Sequence, residues 1–338
     1  MTPLIVIGGS AGGLEPLRTI VAGLPASLSA AVMVVIHTAP TGPSLLPKIL
    51  TKAARLPAQH PFDSQVIQPG RIYVAPPDHH LTVEDGTMRV LRGPKFNAHR
   101  PAIDALFQSA ARSSHPVVGV LLSGMDSDGS LGLKAIHDAG GQTILQSPDD
   151  ATYPYMVKRA TQIVEPDYVL PANLIAAVLA QVVATIESDI SLSESDMSQT
   201  TDPDIEDTGK IPSPYSCPEC GGVLWQDPKD PAMGYECRVG HVYSLDGLLT
   251  EQSQSIEKAL WMGLRALEEK QSLLERLAEQ TRSRGLPSAA ERFGDAAAQL
   301  DEPASVLRRL IQHNGLYAVP EPETDISESL GVPEHGPS

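Results

Sequence analysis

One serine, one histidine and a pair of aspartates stand where this sequence could do acyl-transfer chemistry. The serine is Ser10, inside Gly8-Gly9-Ser10-Ala11-Gly12, which fits G-x-S-x-G. That turn lifts a hydroxyl above the C-terminal edge of a parallel sheet. A hydroxyl becomes a nucleophile when a base takes its proton, and histidine does this near neutral pH. His37 directly follows Val34-Val35-Ile36, and Asp126 and Asp128 lie in Ser123-Gly124-Met125-Asp126-Ser127-Asp128-Gly129. A carboxylate on the second ring nitrogen fixes the tautomer and stabilises the imidazolium. Two other readings stand beside this one. The glycine turn also suits a phosphate cradle of dinucleotide type. A histidine after a strand, or an Asp-Gly turn, is ordinary structure when it occurs alone.

A second constellation lies further on. Cys217-Pro218-Glu219-Cys220-Gly221-Gly222 is a C-x-x-C with a glycine turn, and Cys237 and His241 follow as C-x-x-x-H. Three thiolates and one imidazole make a closed tetrahedral zinc site, structural rather than catalytic. All three cysteines of the chain are used. A redox C-x-x-C is the rival, but no thioredoxin-like context surrounds it. Trp225 and Tyr235 are expected to pack on this module, whose core is too small to fold well without metal. His79 and His80 also suggest a metal, but no further ligands stand nearby at metal spacing, so a solvated loop is expected there.

The elements that must position these residues follow from periodicity. Ile5–Gly8, Ala31–Ile36 and Val117–Leu122 are continuous apolar runs, the pattern of strands buried on both faces. Helical patterns alternate with them, from Leu14 to about Ala22 and from Pro101 to Ala111. Shorter strands are expected at 72–75, 143–146 and 168–170, and Glu84-Asp85-Gly86 marks a hairpin between 81–83 and 88–91. The expected fold is therefore α/β: a doubly wound, mostly parallel, Rossmann-like sheet with an antiparallel hairpin. In such a sheet Ser10, His37 and the aspartate loop all lie at the C-terminal strand edge, where sites form.

Composition divides the rest. Residues 1–186 form the α/β domain. Residues 187–214 are rich in Ser, Thr, Asp and Glu, and are expected to be a disordered acidic linker. A zinc-ribbon-like module spans 215–245. A helical hairpin spans 246–315, with arms Asp246–Ser283 and Ala289–His313 and an apolar stripe of Ile256, Leu260, Leu264, Leu267, Leu274 and Leu277. Residues 316–338 read as a disordered tail. The formal net charge of −16 argues against nucleic acid as a partner. No apolar run reaches the roughly 18–20 residues of a membrane span, and the N-terminal strand, with no basic stretch before it and the serine motif in it, is not expected to be a signal peptide. Cysteine usage suggests a reducing, cytoplasmic setting.

Several blocks, in order, resemble the CheB-type protein-glutamate methylesterase domain of bacterial chemotaxis. They are Ile7–Gly13, Val35-Ile36-His37, Ile72–Leu81, His99-Arg100-Pro101-Ala102-Ile103-Asp104-Ala105-Leu106-Phe107, Leu122–Gly129 and Gly140-Gly141-Gln142-Thr143. The likeness covers residues ~3–185. It implies Ser10 as nucleophile, His37 as base and Asp128 as orienting acid, with an oxyanion hole from backbone N–H groups near Ala11 and Met125. Asp126 stands where the family has glycine, an extra carboxylate that either alters substrate preference or is simply solvated. The implied reaction is hydrolysis of glutamate γ-methyl esters on chemoreceptor helices or another methylated protein, with glutamine deamidation alongside, and no catalytic cofactor. Arg100 either meets receptor carboxylates or forms a structural ion pair. The receiver domain that usually precedes this domain is not seen before Met1, so control by its phosphorylation is not assumed. Two alternatives remain: a non-enzymatic sensor or adaptor with a degenerate domain, and a nucleotide-binding oxidoreductase. The C-terminal helices are open to self-association or to a regulator.

Overall fold

The apolar runs form the centre of a seven-stranded parallel sheet, because strands covered on both faces can bury every side chain. The computed structural model describes residues 1–38, 44–193, 210–228 and 234–312. The chain opens with β1 (Leu4–Gly9), α1 (Leu14–Gly23), β2 (Ala31–Ile36), α2 (Leu46–Ala53), β3 (Ala58–Gln59), β4 (Gln65–Val66) and β5 (Ile72–Val74). It continues with β6 (His80–Glu84), β7 (Thr87–Leu91), α3 (Ile103–Ala111), β8 (Val117–Leu121), α4 (Ser130–Asp138), β9 (Gln142–Gln146), α5 (Tyr155–Thr161), β10 (Tyr168–Leu170) and α6 (Ala172–Ser193). The sheet order is β10-β9-β8-β1-β2-β5-β3. The chain first winds from β1 toward β2 and β5, then returns to the other side of β1 as β8, β9 and β10. That reversal makes the C-terminal ends of β1 and β8 the topological switch point, the place where open α/β sheets carry their sites.

Alternation sorts each strand between two cores. Ile5 and Ile7 of β1 join Leu17 and Ile20 of α1 and Ile175 and Leu179 of α6. Leu4 and Val6 point the other way, toward Ile103 and Phe107 of α3, Leu133 of α4 and Met156 of α5. Each fully buried Leu or Ile contributes about 1.5–3 kcal/mol. The expected hairpin is β6–β7, antiparallel, with Glu84 opposite Thr87. β4 adds a third strand to it, which the sequence pattern did not announce.

Beyond residue 209 come β11 (Ile211–Ser216), β12 (Val223–Gln226), β13 (Tyr235–Cys237) and β14 (Val242–Tyr243), an antiparallel four-stranded sheet. Then follow α7 (Leu245–Ser283), α8 (Pro287–Ala298) and α9 (Asp301–Gln312). Contacts divide the chain into two units, Met1–Glu251 and Gln252–Ser338.

Three expectations change. The acidic linker expected over 187–214 is shorter at both ends: α6 continues to Ser193, since Ile186 to Ser193 contains no proline or glycine to stop it, and β11 already begins at Ile211. Residues 194–209 of that linker, and the tail 316–338, lie outside the described residues. The second arm of the hairpin is two helices, not one. Pro303 lacks an N–H and its ring would clash with the carbonyl of Gln299 in a continuous helix, so the chain restarts at Asp301 with proline in the first turn. Within the second unit, Glu268 pairs with Arg308 and Gln271 with Asp301. Leu264 is buried, whereas Ile256 and Leu277 of the expected stripe are exposed and Ala278 is buried instead.

Candidate active site

Ser10 follows β1 at once. Its N–H donates to Ser123 O at 2.9 Å, which ties the turn to the end of β8. Gly12 has φ +72°, where a side chain would be strained, and that conformation turns the chain into α1. His37 leaves β2 in register, its N–H on Gly9 O. The histidine Nδ1 lies 3.1 Å from Ser10 Oγ, and its Nε2 lies 2.8 Å from Asp128 Oδ2.

Asp128 is fully buried, and its place is set by α3. Ala102, at the start of that helix, has no side chain able to cap it. Asp128 does so instead: Ile103 N donates to Oδ2 at 2.6 Å and Asp104 N to Oδ1 at 3.0 Å. The positive end of the helix thus supports the carboxylate that meets His37. Burial pushes the Asp128 carboxyl up, but the hydrogen bond and charge of His37 outweigh it and hold the group below its usual value. Burial and the charge of Asp128 push neighbouring Asp104 well above the carboxylate range. Asp104 accepts Gly132 N at 2.7 Å, so it too is locked in place.

Asp126 is not a solvated bystander. Its Oδ2 is 3.3 Å from His37 Nδ1, 3.4 Å from Ser10 Oγ and 3.2 Å from His99 Nε2. Burial works against its charge, but the hydrogen bonds of His37 and His99 prevail and depress its carboxyl far below the usual range. For His37, burial pulls the ring down while Asp126 and Asp128 raise it more, to about 9.

Sequence reasoning passed over His99, which it quoted only within a motif. Its ring stacks on that of His37, centroids 3.7 Å apart and 13° from parallel. The ligand-type atoms of His37, His99 and Asp126 lie within 4.8 Å of one another. The rings, however, are parallel and separated, and a metal must lie in the plane of each imidazole. One ion cannot satisfy both, so the trio is a hydrogen-bonded cluster.

The loop bearing His99 is held from far along the chain. Asn97 N donates to Val242 O at 2.8 Å, and Ser244 N donates to Asn97 Oδ1 at 2.8 Å. Ser244 Oγ meets Ser127 Oγ at 3.2 Å, next to Asp128. Asn97 Nδ2 donates to Asp104 Oδ2 at 3.2 Å. Lys95 pairs with Glu219 and Arg159 with Asp246.

Ala11 directly follows Ser10, and Met125 lies in the β8–α4 loop with its side chain exposed. Arg100 donates to Asp78 Oδ1 from Nε and Nη2 and to Gly93 O from Nη1, a structural ion pair. His80 overturns the solvated-loop expectation: it is buried, with Nε2 on Pro94 O at 2.8 Å and Nδ1 accepting Ala102 N at 3.3 Å.

The cysteine residues converge as their spacing implies. Cys217 Sγ and Cys237 Sγ lie 3.6 and 3.4 Å from His241 Nδ1, and Cys220 Sγ lies 3.6 Å from Cys237 Sγ. A tetrahedron with Zn–S bonds of ~2.3 Å has S···S edges of about 3.8 Å, so these atoms need little movement to hold an ion. Leu224, Tyr235, Tyr243 and Leu248 form the small core beneath. Trp225 lies under the Arg238 guanidinium, 5.6 Å from it.

Among the described residues, no helix is long and apolar enough to cross a membrane. Residues 5–179 match the family model for CheB methylesterase. A Leptospira interrogans protein is 36% identical over 174 residues, covering 51% of this chain and 90% of that protein. The Pseudomonas aeruginosa protein-glutamate methylesterase/protein-glutamine glutaminase 2 is 36% identical over 183 residues, covering 53% of this chain and 52% of its own. The crystal structure of the Thermotoga maritima CheB methylesterase catalytic domain superposes with a TM-score of 0.52 at 30% identity, covering 54% of this chain and 99% of that one. With its sheet, its strand-end serine and this family match over half its length, the chain belongs to the CheB methylesterase family.

Proposed function

We propose that this chain is a serine-type protein-glutamate methylesterase, acting on glutamate γ-methyl esters of chemoreceptor helices or of another methylated protein. The observation that carries this reading is the hydrogen-bonded chain from Ser10 Oγ through His37 to Asp128. Ser10 Oγ attacks the ester carbonyl while neutral His37 Nδ1 takes its proton. The same nitrogen then protonates the departing methoxide, which leaves as methanol. Water, deprotonated by His37, cleaves the acyl-enzyme and frees the glutamate. Asp128 keeps the proton of the neutral ring on Nε2, so that Nδ1 faces the serine as a base. Backbone N–H groups of Ala11 and Met125 are the oxyanion donors. With glutamine as substrate, ammonia leaves in place of methanol, and this second reaction accords with the relatives' double name. No step calls for a cofactor.

The zinc reading of Cys217, Cys220, Cys237 and His241 is supported by their separations, and it gives the four-stranded module an ion where its core is thin. A cytoplasmic site of action fits free thiols in this cluster. The exposed apolar residues of α7, Trp261 and Met262 among them, are the surface for self-association or a regulator. The net charge speaks against nucleic acid. The adaptor alternative has no use for a buried carboxylate spent on orienting a histidine, and the oxidoreductase alternative leaves His37 and Asp128 without a role.

The test is methanol release from a methylated receptor fragment. Wild type is expected to release it and Ser10→Ala to lose at least about a thousandfold in kcat. Equal rates from the two would overturn the hydrolase reading.

A further inference from the structure

Ser10, His37, Asp126 and His99 admit two hydrogen-bond patterns on the same heavy atoms. In one, Ser10 Oγ–H donates to His37 Nδ1 across 3.1 Å, which is the pattern of attack. In the other, Ser10 Oγ–H donates to Asp126 Oδ2 across 3.4 Å, and His37, carrying protons on both nitrogens, donates to Asp128 and toward Asp126. The second pattern has no base. We propose that Asp126 is an internal competitor for the serine proton and for His37 Nδ1, which holds the triad closed until its carboxylate is displaced. The inference rests on the hydrolase reading given above.

Three observations support it. The first is position. A reacting carbonyl must come within about 3–3.5 Å of the nucleophile, and Asp126 Oδ2 already stands at that separation from Ser10 Oγ. Its negative charge also opposes the oxyanion that forms there. The second is the resting partner. His99 is held over His37 by stacking and offers Nε2 to Asp126, so the closed pattern has a dedicated counter-group. The third is access. The Asp126 side chain is 26% exposed, and beyond the triad side chains and His99 it is held, among the described residues, by one hydrogen bond, Asp128 N to Oδ1 at 3.0 Å, whereas Asp128, which must stay, is fully buried.

The charged and titratable groups around His37 come from four elements. Asp126 and Asp128 face it from the β8–α4 loop and His99 from the loop before α3. Asp104 of α3 stands behind Asp128. On α5, the Tyr155 hydroxyl is raised by burial and by the charges of Asp246 and Asp126. Of these groups, Asp126 and Asp128 are the ones that reach the His37 ring nitrogens, beside Ser10 Oγ on Nδ1. With His37 near 9, about one molecule in a hundred carries the neutral base at pH 7. Removing Asp126 leaves a single carboxylate on the ring. The base then becomes available at neutral pH, a gain of roughly ten- to fiftyfold.

The experiment uses the full chain and a fluorophosphonate, which Ser10 attacks with loss of fluoride and needs no receptor. Labelling rates at Ser10 are followed from about pH 6 to about pH 10 for wild type, Asp126→Asn and Asp126→Gly, with the His37 ring titrated by NMR in parallel. Wild type is expected to rise toward a midpoint near 9. Both variants are expected to have midpoints lower by about a unit or more, to label at least about tenfold faster at pH 7, and to stay faster than wild type at high pH, where Asp126 still accepts the serine proton. An unchanged NMR midpoint for His37, or variants that label more slowly at every pH, would overturn the proposal. Failure of Ser10 to label in any variant, with His37 still titrating, would overturn the hydrolase reading and this inference with it.

Discussion

Replacing Asp128 by asparagine keeps the shape of the site and removes one function. In the native arrangement Oδ2 takes hydrogen bonds from His37 Nε2 and Ile103 N, and Oδ1 takes one from Asp104 N. Asparagine has one oxygen and one NH2 for these two places. With oxygen in the Oδ2 place, the NH2 faces Asp104 N–H, two donors about as far apart as a hydrogen bond. With the amide reversed, the NH2 faces Ile103 N–H and donates to His37 Nε2. That moves the ring proton to Nδ1, where it faces Ser10 and cannot accept from it. Either way one buried N–H at the start of α3 loses its acceptor, a cost of about 1–3 kcal/mol. Loss of the Asp128 charge also relieves Asp104, whose carboxyl is raised partly by that charge, so the lower end of the range is expected. The reversed amide gives the inactive tautomer, and kcat is expected to fall by about 10⁴. Methanol release in single turnover measures the loss of activity, and urea denaturation followed by circular dichroism measures the loss of stability. An Asp128→Asn protein with kcat within tenfold of wild type would refute the orienting role of this aspartate.

Three further outcomes are expected. His37 is raised from 6.5 to about 9 in the folded chain, so its stabilising contribution is complete below its unfolded value and is lost as pH rises through 9; the first unit should lose roughly 3 kcal/mol between those limits, measured by denaturant midpoints across pH. Cys237→Ser should take bound zinc from one ion per chain to none by mass spectrometry under native conditions and lower the melting temperature, and a variant that keeps both would refute the metal site. A Cβ on Gly8 would stand 2.2 Å from Ile103 Cγ2, at the helix start that Asp128 caps, so Gly8→Ala should cost about 1–3 kcal/mol and lower kcat as well; a variant that loses neither would show that α3 is free to shift.

How much of this could be read beforehand depended on how local the cause was. Ser10 and His37 each terminate a continuous apolar run, so the run itself told which edge of the sheet they occupy. Asp128 was named by its motif, but its burial and its service to α3 were not visible, because the missing cap at Ala102 matters only once the two segments meet. Asp126 showed as a surplus carboxylate and nothing more; its reach to Ser10 Oγ depends on the path of the β8–α4 loop. His99 stacks on His37 because its loop is fastened by Val242 and Ser244, and no window of neighbouring sequence contains that information. The cysteine cluster was legible because spacing alone constrains metal ligands. The break before Asp301 could have been read from Pro303, but the apolar periodicity on either side concealed it.

The fastening of loop 94–101 also orders events in time. Ser244 stands 147 positions after Asn97 and 117 after Ser127. At about 5–20 residues per second, a ribosome takes roughly 6–23 s to travel from Ser127 to Ser244. For that interval the nascent chain has Ser10, His37 and Asp128 in hand, while Asn97 Oδ1 and Ser127 Oγ wait for partners not yet made. A chain ended at the acidic stretch is arrested at the same stage, with its sheet complete and its His99 loop unfastened. The site is finished by the last part of the first unit to be synthesised.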